Sequence, residues 1–178
     1  MNTSDIRTRI LDSAERRARA GGYNGFSFRD IAQDVAIKSA SVHYHFPAKA
    51  DLGRELVLRY TARIKEALGD PSGLDPEQAE ARVTSIFRAA MRIDDKMCLC
   101  GIFGAERDAL PPEVSAATAD FFRMVLEYLR VAHGSPESPD RAMALLARLE
   151  GALIVSRMLG RPELFDSICP AAHGIQIG

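Results

Sequence analysis

The stretch SFRDIAQDVAIKSASVHYHFPAKADL, residues 27–52, decides the fold of this chain. It begins with Ser27, a favourable residue immediately before a helix, and Asp30 follows three positions later, close to the spacing of a capping box. The apolar residues that follow recur at helical spacing. The pattern therefore predicts a short amphipathic helix over residues 28–36.

A second short helix is predicted directly after the first. Residues 37–39 form the turn, the second helix covers residues 40–46, and Pro47 ends it. One face of this helix is apolar. The other face has hydrogen-bonding side chains and no acidic residue: Ser39, Ser41, His43, Tyr44 and His45. Two helices joined in this way are typical of a helix-turn-helix, whose second helix can lie in the major groove of DNA.

The charges of the chain are unevenly distributed. Residues 1–68 contain 12 Lys and Arg against 8 Asp and Glu, whereas residues 69–178 contain 11 against 16, so the net charge of −1 conceals a basic first part and an acidic remainder. This distribution suits a small DNA-binding head on a body with a different task, although solvated charges can also segregate by chance.

Length and composition favour one well-formed core. The chain has 178 residues, of which 47% are apolar, and it has room for a small attached domain. It has no run of about 18 consecutive apolar residues that could span a membrane, and its start has no signal-peptide pattern. We therefore expect a cytoplasmic protein.

Helical periodicity continues through almost the whole chain, and no segment has the clear alternation of a strand. The sequence therefore predicts an all-α protein, with an N-terminal three-helix head that contains the helix-turn-helix and a C-terminal helical body. The expected divisions are a head over 1–47, a connecting helix over 48–68 and a body over 69–178. Body helices are expected from residue 76 onward and over 98–109, 113–133 and 139–160.

Two of the predicted body helices are apolar over more than one face. A helix on the surface of a monomer normally has a polar side, so this breadth suggests a subunit interface. The alternative is that both helices are simply central in a small all-α domain. The interface candidates are Phe122, Leu126, Leu129, Leu146, Leu149, Leu153, Ile154 and Met158.

The N-terminal part of the chain resembles the TetR family of bacterial transcriptional regulators. The likeness rests on the run FSFRDIAQDVAIKSASVHYHFPAKADL and on the helix RTRILDSAERRARAGGY before it. The shared pattern includes Gly22-Tyr23, an aromatic-Ser entry, an Ile-Ala helix, a helix ending in His-Phe, and Lys-x-x-Leu over residues 49–52. The rest of the chain is similar to the family in length and helix count only.

The resemblance implies which residues of the helix-turn-helix contact DNA. The residues that would face the bases are Ser39, Ala40, Ser41 and His43, with Lys38 beside them. Those that would touch phosphate are Tyr44, His45 and Lys49. Arg29, early in the first motif helix, would reach phosphate or the groove.

Several of these residues have a second interpretation. The ring of Tyr44 could pack into the core of the head, His45 could bond the backbone at the helix end, and Lys49 could be a solvated lysine. Where the family often has Tyr, this chain has His43, so the preferred bases do not follow from the resemblance.

The resemblance also implies that the body binds an effector and dimerises through its last two long helices. Two heads on a two-fold axis demand a palindromic operator in double-stranded DNA. A ligand that prefers the non-DNA-binding conformation lowers operator affinity, which makes the protein a ligand-responsive repressor. We expect an apolar or aromatic effector. The pocket candidates, each of which could instead be core, are Phe87, Met91, Cys98, Phe103, Phe121, Phe122, Met124 and Tyr128.

Cys98 is a second candidate for sensing a signal. The segment MCLCGIFGAE, residues 97–106, is similar to one in a branch of the family that includes sensors of reactive electrophiles. A thiolate at a helix N-terminus is stabilised by the helix dipole, to which Arg92 and Lys96 could add. The alternative is a buried cysteine that acts as a small apolar side chain.

Other classes of protein find little support in the sequence. The three cysteines suit neither a disulfide framework nor a zinc site, and no hydrolase, nucleotide-binding or zinc-protease motif occurs. We therefore expect no catalytic residue, no metal and no cofactor. The alternatives to a regulator are an all-α protein-interaction module and a thiol-dependent enzyme that uses Cys98.

Overall fold

The computed structural model describes residues 3–94, 96–134 and 138–170. Every regular element within these ranges is helical and no strand occurs there, which confirms the predicted all-α class. None of the described helices is long and apolar enough to cross a membrane. The helices are α1 (Thr3–Gly21), α2 (Phe28–Val35), α3 (Ser39–His45), α4 (Lys49–Leu68), α5 (Pro76–Asp94), α6 (Leu99–Ala105), α7 (Pro112–His133), α8 (Ser138–Met158) and α9 (Glu163–Ile168).

The chain folds into two compact units that are interleaved in sequence. The first contains residues 1–62 and 99–121, and the second contains residues 63–98 and 122–178. Helices α4 and α7 therefore contribute to both units, and α6 belongs with the helix-turn-helix. The sequence-based division at residues 47 and 68 concerns function and stays a prediction.

The first unit is built around the N-terminal helices. α1 packs on α2 and on α6, and α2 packs on α3. Because these helices are short, their stability depends on burying apolar faces against one another rather than on helix propensity. The unit's large side chains with less than 2% exposure are Ile10, Phe26, Ile31, Leu52, Leu56, Leu99, Phe103 and Phe121.

The second unit is centred on α8, which packs on α5 and on α9. α5 also packs on α9. Pro76 is the first residue of α5, as its position in the sequence predicted. The large side chains of this unit with less than 2% exposure are Leu68, Leu129, Leu149, Leu153 and Phe165.

The helix predicted over 98–109 is wrong as a continuous element. α6 ends at Ala105, and a separate 3-10 turn covers Arg107–Ala109. Between them Glu106 leaves the helical conformation (φ −99°, ψ 14°), and its carboxylate accepts a hydrogen bond from the backbone N–H of Tyr23 at 2.7 Å. The break thus accompanies a contact with a residue 83 positions away in the chain.

Candidate nucleic-acid interface

A capping box starts α2 and confirms that part of the sequence prediction. The Ser27 hydroxyl accepts a hydrogen bond from the backbone N–H of Asp30 at 3.2 Å, and the Asp30 carboxylate accepts one from the backbone N–H of Ser27 at 3.0 Å. A cap of this kind stabilises a helix by about 1 kcal/mol. It fixes the residue at which the first motif helix begins.

The turn between α2 and α3 depends on a left-handed residue. Ala36 has φ 58° and ψ 48°. Its N–H donates to the Gln33 carbonyl at 3.2 Å, and the N–H of Ile37 donates to the Ala32 carbonyl at 2.9 Å. This is the Schellman arrangement, which usually has glycine at the left-handed position. It ends α2 and redirects the chain into α3.

A charged cluster attaches α2 to α1. Asp34 accepts two hydrogen bonds from the Arg17 guanidinium, at 2.7 and 2.8 Å, and one from the Ser13 hydroxyl at 2.5 Å. Arg9 donates to the Val35 carbonyl at 2.7 Å. The Arg17 guanidinium and the Ser13 hydroxyl hold the pKa of Asp34 well below its ordinary range. Because both ends of the cluster lie on helices, it fixes the position of the motif in the unit.

The predicted base-facing and phosphate-facing residues lie mostly on the outer side of the motif. Val42 and Phe46 are buried, so the opposite face of α3 is turned to solvent. The Tyr44 side chain is 79% exposed and does not pack into the core of the head. The residues classed as exposed are Arg29, Lys38, Ser39, Ala40, His43 and Tyr44, and Ser41 and His45 are partly exposed.

Ring contacts restrain three of these side chains. The rings of Phe28 and His43 meet edge to face with centroids 4.6 Å apart, and those of Tyr44 and His45 do so at 5.3 Å. Sequence reasoning placed Phe28 on the helix periodicity and missed its role as a support for His43. The signal was its position one residue after the cap of α2.

Lys49 is partly exposed, and its predicted contact with phosphate stays a prediction. Its Nζ lies 4.6 Å from the ring centroid of Tyr23 and 4.7 Å from that of Phe26. Burial lowers the pKa of Lys49, and the Glu106 carboxylate opposes this shift. The ammonium is therefore held over an aromatic pair inside the first unit by cation–π attraction.

Glu106 secures the loop between α1 and α2 and was missed from the sequence. A side chain at Gly22, whose φ is 72°, would lie 2.0 Å from the Glu106 carboxylate, so the close approach requires glycine here. The ring of Tyr23 also meets that of Phe103 edge to face at 5.8 Å. Gly22 and Tyr23 were visible as a pattern, but no local signal identified their distant partner.

The predicted effector-pocket residues are largely core side chains within their respective units. In the first unit Phe103 and Phe121 are at most 1% exposed. In the second unit Tyr128 is buried and its hydroxyl donates to the Leu68 carbonyl at 3.1 Å. The remaining members, all in the second unit, are the buried Phe87, Met91 and Cys98 and the partly exposed Phe122 and Met124.

The second unit contains an open cleft of about 490 Å³ that the sequence did not predict as a whole. Of the predicted pocket residues, Met91 lines it. The cleft is bounded by the end of α5, the last turns of α8 and the start of α9. Its lining residues are Met91, Arg92, Ser156, Arg157, Gly160, Pro162, Glu163 and Asp166.

The predicted interface residues fall into two groups. Leu149 and Leu153 are 0% exposed and Leu146 is 6% exposed, because α8 is central in its own unit, and Leu129 on α7 is also 0% exposed. Phe122 and Leu126 are partly exposed. Ile154 and Met158 are exposed by 54% and 85%, and other exposed apolar residues of this end of the chain are Met143, Val155 and Leu159.

Cys98 and Glu150 form a buried polar pair in the second unit. Cys98 precedes α6 and is 2% exposed, and the chain's three cysteines are all buried and form no disulfide. Both carboxyl oxygens of Glu150 are buried, and the Cys98 thiol is a polar group beside them. Burial raises the pKa of Glu150 to about 7, and the Cys98 thiol partly opposes the rise.

Metal binding has no structural support in the described ranges. No group of three or more His, Cys, Asp or Glu is placed there to hold an ion.

Known proteins resemble this chain in sequence and in fold. Residues 10–56 match the family described as "Bacterial regulatory proteins, tetR family". A TetR transcriptional regulator from Legionella pneumophila is 31% identical over 94% of both chains, with a TM-score of 0.81. Among curated proteins, none matches the sequence significantly.

Two further solved structures share the arrangement of helices. A TetR-family regulator from Agrobacterium tumefaciens is 26% identical over 94% of this chain and 95% of its own, with a TM-score of 0.85. The reduced form of NemR from E. coli is 19% identical over 92% of this chain and 93% of its own, with a TM-score of 0.74. At that identity the likeness to NemR concerns the fold alone.

Proposed function

This chain belongs to the TetR family of transcriptional regulators, and from that premise we propose that it represses transcription by binding a palindromic operator as a dimer. Regulators of this family bind DNA, typically as dimers, and bind small-molecule effectors. We propose further that an effector releases the protein from its operator. The expected location is the cytoplasm.

The outer face of α3 is the observation that carries the proposal. Its residues are exposed or partly exposed, and none is acidic. The position of α3 is fixed by α2, which begins with a capping box and is attached to α1 by the charged cluster around Asp34. Short polar side chains at this position can read base edges, while neighbouring cations contact phosphate. The base-reading candidates are Ser39, Ala40, Ser41 and His43 with Lys38, and the phosphate candidates are Tyr44, His45, Lys49 and Arg29.

An apolar strip near the end of α8 supports dimerisation. Ile154, Met158 and Leu159 are between 54% and 85% exposed. Apolar side chains grouped on a surface mark an interaction site more often than isolated ones do. A second copy of the strip, related by a two-fold axis, would cover it. The proposal rests on these exposed residues and not on the leucines buried in the same helix.

A reversible effector is better supported than a reactive electrophile. The Cys98 sulfur is buried beside a carboxyl group, so a reagent in solvent would reach it only after local opening. Noncovalent binding in the second unit needs no such opening, because a cleft is already present there.

Selection of bound sequences from a random duplex library tests the DNA-binding proposal. We expect a palindromic site, bound with an affinity that falls steeply as salt rises. His43→Ala should relax the preference at one position of each half-site, by about 1–3 kcal/mol. Arg29→Ala, at a predicted phosphate contact, should weaken binding to all sequences and reduce the salt slope by about one. Arg130→Gln, on α7 in the second unit, is the matched control.

Two results would contradict the proposal. One is the absence of any enriched sequence together with binding that does not depend on salt, which would favour a protein-interaction module. The other is a selection profile that the His43→Ala variant leaves unchanged.

A further inference from the structure

The cleft of the second unit contains polar groups that the fold leaves without partners. Ser156 is 0% exposed and lines the cleft, yet its hydroxyl has no hydrogen-bond partner among the described residues. Nη1 of the neighbouring Arg157 is likewise buried and without a partner there. An unsatisfied buried donor typically costs about 1–3 kcal/mol. Because Ser156 and Arg157 are consecutive on α8 and both line the cleft, the site is suited to an acceptor that comes from outside the chain.

The charges around the cleft leave Arg157 as the cation available to a ligand. The Asp166 carboxylate is bound by Arg88 at 2.6 Å and also by Arg92. Glu163 is paired with Arg161 at 2.9 Å. Both acidic groups of the lining are thus already compensated by other arginines. No ion pair of Arg157 occurs within the described part of the chain.

The shape and lining of the cleft indicate the size and body of the ligand. Its volume of about 490 Å³ falls in the range of small-molecule sites, roughly 300–1,000 Å³. Met91 and Pro162 supply apolar surface next to the polar pair. A single guanidinium with one hydroxyl matches a carboxylate, whose two oxygens can accept from both, whereas a doubly charged phosphate would require more cations.

We propose that this cleft binds a small organic acid, with the carboxylate on Arg157 and Ser156 and the apolar body against Met91 and Pro162. The inference rests on the proposed function in one respect, because it identifies this acid as the effector. It adds an acidic group to the apolar or aromatic effector that the sequence analysis expects. Arg157 lies on α8 one position before Met158 of the exposed strip, so an acid bound here adjoins the proposed dimer surface.

Calorimetric titration of the full-length protein with matched acids and amides tests the site. The probes are benzoate, hexanoate and octanoate, each compared with its uncharged amide. We expect at least one acid to bind at least tenfold more tightly than its amide. Arg157→Gln should weaken that binding tenfold or more, Ser156→Ala should weaken it several-fold, and Arg130→Gln should leave it unchanged.

Arg157→Lys controls for damage to the fold. Lysine keeps the charge but not the two-pronged donor geometry, so we expect intermediate affinity with the same thermal unfolding temperature as Arg157→Gln. Equal binding of every acid and its amide would overturn the proposal, as would wild-type affinity in Arg157→Gln.

A second readout separates the site from the proposed function. The acid that binds should release the protein from its selected DNA duplex, and Arg157→Gln should abolish release while still binding DNA. Acid binding without release would contradict the effector role and leave the site standing. Failure to bind any DNA, with acid binding intact, would contradict the proposed function alone.

Discussion

Ala36 holds a backbone conformation that a side chain disfavours. Its φ of 58° lies in the left-handed region, where residues other than glycine lose about 1–2 kcal/mol. Glycine recovers that loss but gains more freedom in the unfolded chain. We expect Ala36→Gly to raise the free energy of unfolding by about 0.5–1 kcal/mol, measured by urea denaturation. Ala40→Gly, at an exposed helical position, should instead lower it. Equal effects of the two changes would refute the explanation.

Glu150 should make stability depend on pH in a direction opposite to most carboxylates. Its pKa rises from 4.5 to about 7 on folding, so the folded chain retains a proton that the unfolded chain has lost. Between these values the free energy of unfolding falls as pH rises, by about 3 kcal/mol in all, and above pH 7 the loss stays constant.

The Glu150→Gln variant isolates this contribution. The difference in unfolding free energy, variant minus wild type, should grow by about 3 kcal/mol between pH 4.5 and pH 8 because glutamine does not titrate. Urea denaturation at intervals across this range measures it, and other titrating groups cancel in the difference. A difference that stays constant with pH would show that Glu150 ionises normally in the folded chain.

At the scale of elements, the charged cluster around Asp34 determines how firmly α2 is held to α1. Replacement of Asp34 by asparagine keeps the shape of the side chain but removes the negative charge that accepts hydrogen bonds from Arg17 and Ser13. We expect Asp34→Asn to lower the free energy of unfolding by about 1–2 kcal/mol at pH 7 and to weaken operator binding. The loss should shrink in acid, because the depressed pKa of Asp34 makes its contribution one that disappears as pH falls. Asp108→Asn, at an exposed position of the same unit, is the matched control outside this cluster.

Elements with local signals were predictable to within about a residue. Ser27 and Asp30 mark the start of α2, and α3 covers Ser39–His45 where 40–46 was expected. The break after α6 was not predictable, because it depends on Glu106 contacting Tyr23 from far along the chain. The same reason applies to Lys49, whose aromatic partners lie on a different segment.

Site residues, too, were predictable where the signal is local and not where it depends on distant parts of the chain. The outward set on α3 could be read from periodicity, since Val42 and Phe46 define the inner side. The breadth of the apolar surface of α8 was visible, but which part is core was not, because the sequence does not reveal that α5 and α9 cover it. The position of Ser156 and Arg157 in a cleft could not be predicted either, because α9 and the end of α5 form the rest of its walls.

At the scale of the molecule, the first unit depends on residues 99–121. The ring of Phe121 lies 5.7 Å from that of Tyr60, and Val114 packs closely on Gly53. A fragment of residues 1–68 would expose the surfaces that these side chains cover. We expect the fragment to lose several kcal/mol of unfolding free energy. Since each kcal/mol corresponds to roughly 4–8 °C in a domain of this size, its unfolding temperature, measured by circular dichroism, should be at least about 15 °C below that of the full-length protein. A fragment as stable as the full chain would show that the helix-turn-helix folds alone.

The interleaving of the two units also bears on how such proteins can diverge. A recombination event that exchanges only the N-terminal third of the gene between relatives would separate the loop at Gly22 from the Glu106 that fits it. The hybrid would then combine two halves that had been selected against different partners. New DNA specificity should therefore be inherited more readily through single changes on α3 than through exchange of whole heads.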